Sequence, residues 1–275
     1  MKINSNVMAL NTQRALNKNS VTTATTVERL SSGKRINSAK DDAAGLAIAL
    51  KFAAQIAGSQ QAARNANDGI SMLQTAEGGL QEASANLQRM RDLAVQSANG
   101  INASSDRQAL QTEFSALQNE VSRTIESTDF NGTKVLDSGQ SLEFQTGPNA
   151  GNTTIVATSN VLANADVNTA VSSSEITSQA ASTVAITEID AALEQINRER
   201  ARLGASQNTM ESTVRSLDSS AVQQASAKSR IEDADYAKES ANLARDIILQ
   251  KAGIAAMSHS KVNAKLVSGL LNKPI

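Results

Sequence analysis

Chemistry needs reactive side chains, and this chain of 275 residues offers few. His259 is its only histidine, and there is no cysteine. A multi-histidine zinc site, a thiolate nucleophile, an iron–sulfur cluster and a disulfide are therefore excluded. A Ser–His–Asp triad would have to use His259, which lies in an amphipathic C-terminal stretch, and no nucleophile elbow occurs in the chain. Gly-rich phosphate loops of either common spacing are missing as well. These gaps point away from an enzyme, and no cofactor or metal is implied. Charge is the remaining candidate. Up to Lys40 the chain carries seven basic residues, Lys2, Arg14, Lys18, Arg29, Lys34, Arg35 and Lys40, against Glu28 alone. They are dispersed among Asn, Gln and Thr without aromatic stacking platforms, so nucleic-acid binding is not expected.

The elements that would position these groups are mostly helices. Ile70, Leu73, Leu80, Leu87 and Ala94 recur at three- or seven-residue steps, and Leu110, Phe114, Leu117, Val121 and Ile125 follow at steps of four and three. Ser105 with Gln108 forms a candidate capping box ahead of that second run. Ile189, Ile196, Leu203, Met210, Leu217 and Gln224 keep a strict seven-residue interval, with Leu193, Val214 and Ala221 on the second seam position. So narrow a stripe needs a partner helix, and the blocks around 44–99 and 105–128 are available. A helix over 44–99 would be about 80 Å long. Between residues 33 and 44, GKRINSAKDDAA is a polar junction, with Asp41 and Asp42 placed to cap the helix that follows.

The middle of the chain changes character, with no Lys or Arg between Lys134 and Arg198. Asn131-Gly132 is a turn signal before Thr133–Leu136, and alternating Ser141–Gln145 and Thr153–Ala157 flank GPNAGN. A small antiparallel hairpin patch is expected there. Residues 158–182 are polar enough to be a surface excursion.

Composition constrains the core. Aromatics make up 2% of the chain, too few for the bulky interior of an ordinary enzyme of this length. Pro148 and Pro274 are the only prolines, which permits long unbroken helices. No run of roughly 18 apolar residues suggests membrane insertion, and MKINSNVMALNTQ lacks the continuous apolar segment of a cleavable signal. Both ends are unusually apolar. Ile3, Val7 and Leu10 begin a stripe that pauses at Arg14, Asn17, Ser20 and the threonines of 22–26, then resumes at Val27 and Leu30. Leu243, Ile247, Ile254, Met257, Val262, Leu266 and Leu270 carry a face almost to the C-terminus. Either the two terminal helices cover each other, or such a thin pair is stable only against copies from other subunits; the small area of two helices favours the second.

At ERLSSGKRINSAKDDAAGLAIA (28–49) the chain closely resembles bacterial flagellin. The likeness continues through ARNANDGISMLQTAEGGLQEASANLQRMRDLAVQSANG (63–100), STDFNGTKVL (127–136) and SRIEDADYAKESANLARDIILQKAG (229–253). The resemblance implies a mainly α fold: an elongated rod of long antiparallel helices in coiled-coil-like packing, with a small β-hairpin patch and a terminal two-helix coiled coil. It implies a structural subunit that self-assembles into the extracellular flagellar filament for motility. Residues 1–43 and 231–275 would be the two halves of an inner polymerisation domain. Residues 44–182 and 183–230 would form the outer rod, with 158–182 in place of the inserted domains of larger members.

The resemblance also implies partners and sites. Export as an unfolded chain through the flagellar type III apparatus, with a chaperone, would precede contact with hook-associated and cap proteins. The inner coiled coil would use the terminal apolar residues named above. Lys34, Arg35, Asp41 and Asp42 would contact neighbouring subunits as a connecting spoke. LQRMRDLAVQ resembles the segment seen by the flagellin-sensing Toll-like receptor of animals, at Gln88, Arg89, Leu93 and Gln96, with Glu113 on the next helix. Without that likeness, Arg89 and Glu113 are an exposed charge pair and Leu93 a seam residue. The C-terminus departs from the family's usual ending: SHSKVNAKLVSGLLNKPI keeps Leu270-Leu271 but displaces the proline to Pro274. The competing readings are a hook–filament junction protein of the same assembly and a non-polymerising helical binding protein or export chaperone.

Overall fold

A computed structural model describes the backbone of residues 6–271 and the side chains of 6–260 and of Val262. Six helices, α1 (Val7–Ser32), α2 (Ala43–Ser97), α3 (Ser104–Ser127), α4 (Ala165–Ser172), α5 (Gln179–Glu232) and α6 (Tyr236–Leu271), account for most of it. The chain divides into two compact units, one of residues 1–54 with 223–275, the other of 55–222. The divisions lie two to three helical turns inside the 43/44 and 230/231 bounds expected from sequence.

The second unit is built on heptads. Leu73, Leu80, Leu87 and Ala94 of α2 are fully buried, and so are Ile189, Ile196 and Met210 of α5. Arg91 meets Asp190 at 2.6 Å, Glu77 faces Arg200 at 3.6 Å and Gly69 lies on Met210, so α2 and α5 run antiparallel. A second seam escapes a search for large apolar residues: Ala62, Gly69, Ala76, Ala83, Met90 and Ser97 also recur every seven residues and are buried. Its small side chains let the helices approach closely. A Cβ on Gly69 would fall 2.7 Å from the Met210 sulfur. Phe114, Val121 and Ile125 of α3 complete the same core.

Two hairpins follow α3. β1 (Asp129–Phe130) pairs with β2 (Thr133–Lys134) through Asn131 and Gly132, whose φ values of 50° and 79° suit a tight two-residue turn. β3 (Ser141–Gln145) pairs with β4 (Thr153–Ala157), within the bounds that alternation predicts. Two sequence expectations change. The cap of α3 is Ala103, whose N–H donates to Asp106 across 3.0 Å, two residues ahead of the expected Ser105–Gln108 box. Residues 158–182 are more than a surface excursion, because Val167 and Ala170 of α4, and Ile176 after it, are fully buried. Buried Gln118 of α3 donates to the carbonyls of Ala170 and Ser174, closing the end of α4, and Ser97 donates to Ile176 O at 2.6 Å. Each of these hydrogen bonds satisfies a polar group that would otherwise be stranded.

Truncating Ile196 to Ala removes a fully buried side chain where α2 and α5 meet. It should lower unfolding free energy by about 2–5 kcal/mol. Val184→Ala, at an exposed position of the same helix, should change it by less than about 0.5 kcal/mol. Denaturant titration of both variants measures the contrast.

Candidate functional site

The first unit holds the terminal helices and the junction between α1 and α2, and it has an unexpected polarity. α1 and α6 pair antiparallel. The positions of α6 that face α1 every seven residues are Glu239, Asp246, Gly253 and Ser260. Arg29 meets Glu239 at 3.6 Å, Asn19 donates to the Asp246 carbonyl at 2.8 Å, and Asn6 exchanges hydrogen bonds with Ser260 at 3.0 and 3.1 Å. Gly253 lies under Leu16, where a Cβ would come within 2.7 Å of Leu16 Cδ2. Thr23 and Thr26 of α1 also face inward and return their hydroxyls to carbonyls one turn earlier, Asn19 O and Thr22 O. That back-bonding lets a hydroxyl sit in a seam without a cross-helix partner.

The apolar residues mostly point the other way. Of the residues expected in a terminal coiled-coil seam, Val7, Leu10 and Val27 on α1 and Ile247, Ile254 and Val262 on α6 are exposed. Leu30, Leu243 and Met257 are half-buried. Ile3 lies outside the described residues, as do the side chains of Leu266 and Leu270. Met8, Val21, Ile248 and Leu249 enlarge the exposed set. Three consecutive exposed residues, Ile247, Ile248 and Leu249, occupy three directions around α6, because successive residues turn by about 100°. The signal that would have found this arrangement is the heptad of Glu239, Asp246, Gly253 and Ser260, invisible to a search for apolar periodicity.

The junction after α1 is held by backbone and charge together. Gly33 ends the helix in the left-handed region at φ 69°. Its carbonyl accepts from Ala234 N at 2.9 Å, and Arg35 N donates to Glu232 O at 2.6 Å. Lys34 Nζ lies 2.5 Å from Glu232 Oε1, Lys228 reaches the other carboxylate oxygen at 3.5 Å, and the Arg35 guanidinium donates to Ile231 O. Ile36 is buried beneath this clasp. The two aspartates take different tasks. Asp42 Oδ1 accepts from Gly45 N at 2.8 Å and caps α2, whereas Asp41 folds back onto the Asn37 and Ser38 amides at 3.1 and 3.0 Å. Asp41 therefore tightens the turn before the helix instead of capping it.

The 88–113 set divides by depth. Gln88, Arg89, Gln96 and Glu113 are exposed, while Leu93 is 1% exposed and belongs to the core. Arg89 holds Glu113 through two hydrogen bonds of 2.6 and 3.0 Å to one carboxylate oxygen. A pocket of about 290 Å³ on the same unit includes Ser159, Asn160 and Glu199. Its one carboxylate is paired with Arg202.

The charges of the junction set its pH range. The Lys34 hydrogen bond holds the Glu232 carboxyl below the usual carboxylate range, and the Asn37 and Ser38 amides do the same for Asp41. The Glu232 partnership raises the Lys34 ammonium above its usual value. Depressed carboxyls stabilise the folded junction above their ordinary values near 4, and this is lost as pH falls through the lowered ones. The raised ammonium stabilises below about 10.4 and is lost only as pH climbs past its raised value. Normalised amide-exchange protection at 33–45 and 231–235 should stay level from about pH 5 to 8 and fall in acid. Glu232→Gln should lower protection near neutrality and blunt that acid dependence.

Residues 3–141 match the bacterial flagellin N-terminal helical region and residues 186–270 the bacterial flagellin C-terminal helical region. The chain is 42% identical over 272 residues to a flagellin of Halalkalibacterium halodurans, covering 98% of this chain and all of that one. It is 36% identical over 303 residues to a Bacillus subtilis flagellin, covering 98% and 100%. Among solved structures, Bacillus cereus flagellin matches with TM-score 0.50 and 30% identity over 56% of this chain and 88% of that one. A chain described as a flagellar hook-associated protein from Vibrio parahaemolyticus matches with TM-score 0.61 over 70% of this chain and all of its own, but at 14% identity it shares the fold alone. Among the described residues no helix is long and apolar enough to cross a membrane. Matched at both ends by the family's own regions and along nearly its whole length by its members, the chain belongs to the bacterial flagellins and is a structural subunit of the extracellular flagellar filament.

Proposed function

We propose that residues 1–43 and 231–275 are the part of this subunit that drives polymerisation, and that 44–230 form the outer part of the filament wall. The observation that carries this is the polarity of the α1–α6 pair. Ordinary surface helices turn one apolar stripe toward the core, and a helix apolar on several sides belongs inside an assembly. Here the intramolecular seam is occupied by Glu239, Asp246 and Ser260, so Val7, Leu10, Val21, Ile248 and Ile254 remain to be covered. Burial in other copies would stabilise the pair in proportion to the apolar area withdrawn, at about 25 cal/mol per Å². The junction residues Lys34, Arg35, Asp41 and Asp42 fix the chain's exit from α1, and from there they also contact neighbouring subunits.

Further partners belong to this reading. The subunit travels unfolded through the flagellar export apparatus with a chaperone, and meets hook-associated and cap proteins at the growing structure. The exposed Gln88, Arg89, Gln96 and Glu113 form the face seen by the flagellin-sensing Toll-like receptor of hosts, with buried Leu93 shaping the helix beneath. Polymerisation covers this face, so the monomer is the recognised form.

Deleting residues 1–30 or 245–275 should abolish filaments in sedimentation and electron microscopy while leaving the far-ultraviolet helical signal of 55–222 in place. Filaments formed by either truncated chain would overturn the assignment. In a receptor reporter assay, Arg89→Ala monomer should respond about tenfold more weakly than the parent, on the scale of one lost charge-assisted contact.

A further inference from the structure

Resting on the reading that the terminal unit drives assembly, we propose that Arg14 of one copy enters the α1–α6 groove of a second copy and pairs there with Asp246. The groove is an open trough of about 710 Å³ whose walls include Ala15, Ala252, Gly253 and Ala256, with Leu249 at its edge. Side chains this small leave room for another helix to come close. Asp246 also lines the trough. It is only 6% exposed, and its Oδ2 is shielded from water with no hydrogen-bond partner among the described residues. An unpartnered carboxylate oxygen held away from water is costly unless a donor arrives.

The complementary feature is on the outside of α1. Val7, Leu10, Arg14 and Val21 follow one exposed heptad stripe, with Arg14 seven residues from both valines. Arg14 has no hydrogen-bond or ion-pair partner among the described residues. An apolar stripe with one unpaired guanidinium at its centre fits an apolar, small-walled groove with one unpaired carboxylate on its wall. Valine and leucine side chains would bury against Leu249 and the alanines, and the planar guanidinium would pair with the Asp246 carboxylate, which has no donor at Oδ2 in the single chain. Because stripe and groove are different surfaces, each copy can donate one and accept the other. Such a heterologous contact builds an open helical polymer wherever its rotation does not close into a ring. The ion pair then fixes the axial register of one subunit on the next, a task that sliding apolar contacts perform poorly.

The same groove contains Lys18 of its own chain, the competing donor. A double-mutant cycle on full-length subunits separates the two. The critical concentration for seeded polymerisation is measured for the parent, Arg14→Gln, Asp246→Asn, Lys18→Gln and the two pairwise combinations with Asp246→Asn. Each of Arg14→Gln and Asp246→Asn should raise it about tenfold, and the Arg14/Asp246 double variant should be no worse than either single one. Circular dichroism of all variants should match the parent. Multiplication of the two single effects to about a hundredfold, or coupling of Asp246 to Lys18 instead of Arg14, overturns the proposal. Failure of the parent chain itself to polymerise would instead defeat the assembly reading on which it rests.

Discussion

Seven-residue recurrence of the inward-facing side chain is the constraint on which the rest of the structure depends. A helix turning 3.6 residues per turn keeps one side toward its partner over tens of residues only if those positions recur at about this interval. α2 and α5 satisfy it with leucine, isoleucine and methionine on one seam and alanine, glycine and serine on another. The alternation of large and small side chains substitutes for the aromatic volume the chain lacks. It also explains why few prolines are tolerable: one inside either helix would break both seams at once.

The same interval is filled with the opposite chemistry in the terminal pair. Glu239, Asp246, Gly253 and Ser260 make contacts with α1 that define register through hydrogen bonds and close packing, while contributing little apolar burial. Specificity and stability are thereby separated. The polar seam says which residues of α1 meet which residues of α6, and the apolar residues are left on the outer surface. That separation suits the proposed role of the pair in assembly, since a pair saturated by its own contacts would have little reason to polymerise. The Lys34–Glu232 clasp and the Asp41 turn work in the same sense, holding the chain's path between α1 and α2 with charge-assisted bonds on a largely wet surface.

Much of the second unit was legible before any coordinates. The α5 heptad from Ile189 to Leu217, the Asn131-Gly132 turn and both strands of the longer hairpin follow from periodicity and turn chemistry, because each depends on neighbours close in sequence. What escaped depends on distant partners. Val167 and Ile176 are isolated apolar residues in a polar stretch, and only the shelf made by α3, with Gln118 tying down the carbonyls of Ala170 and Ser174, turns that stretch into core. Asp41 and Asp42 are identical neighbours in sequence, yet the path of the preceding turn assigns one to Gly45 and the other to Asn37 and Ser38.

By itself, the sequence determined the class of molecule: long helices, heptad seams, a minor β component, and the flagellin likeness carried by extended motifs at both ends. It also determined that the termini are apolar. Which face of each terminal helix turns inward was decided only by the tertiary structure. Periodicity identifies a stripe but not its partner, and the assumption that apolar stripes face the chain's own core holds only when one chain is the whole folding unit. Here Leu16 packs on Gly253 and Asn19 reaches Asp246, while Val7, Leu10 and Ile254 face outward, the arrangement that the proposed burial between chains would use.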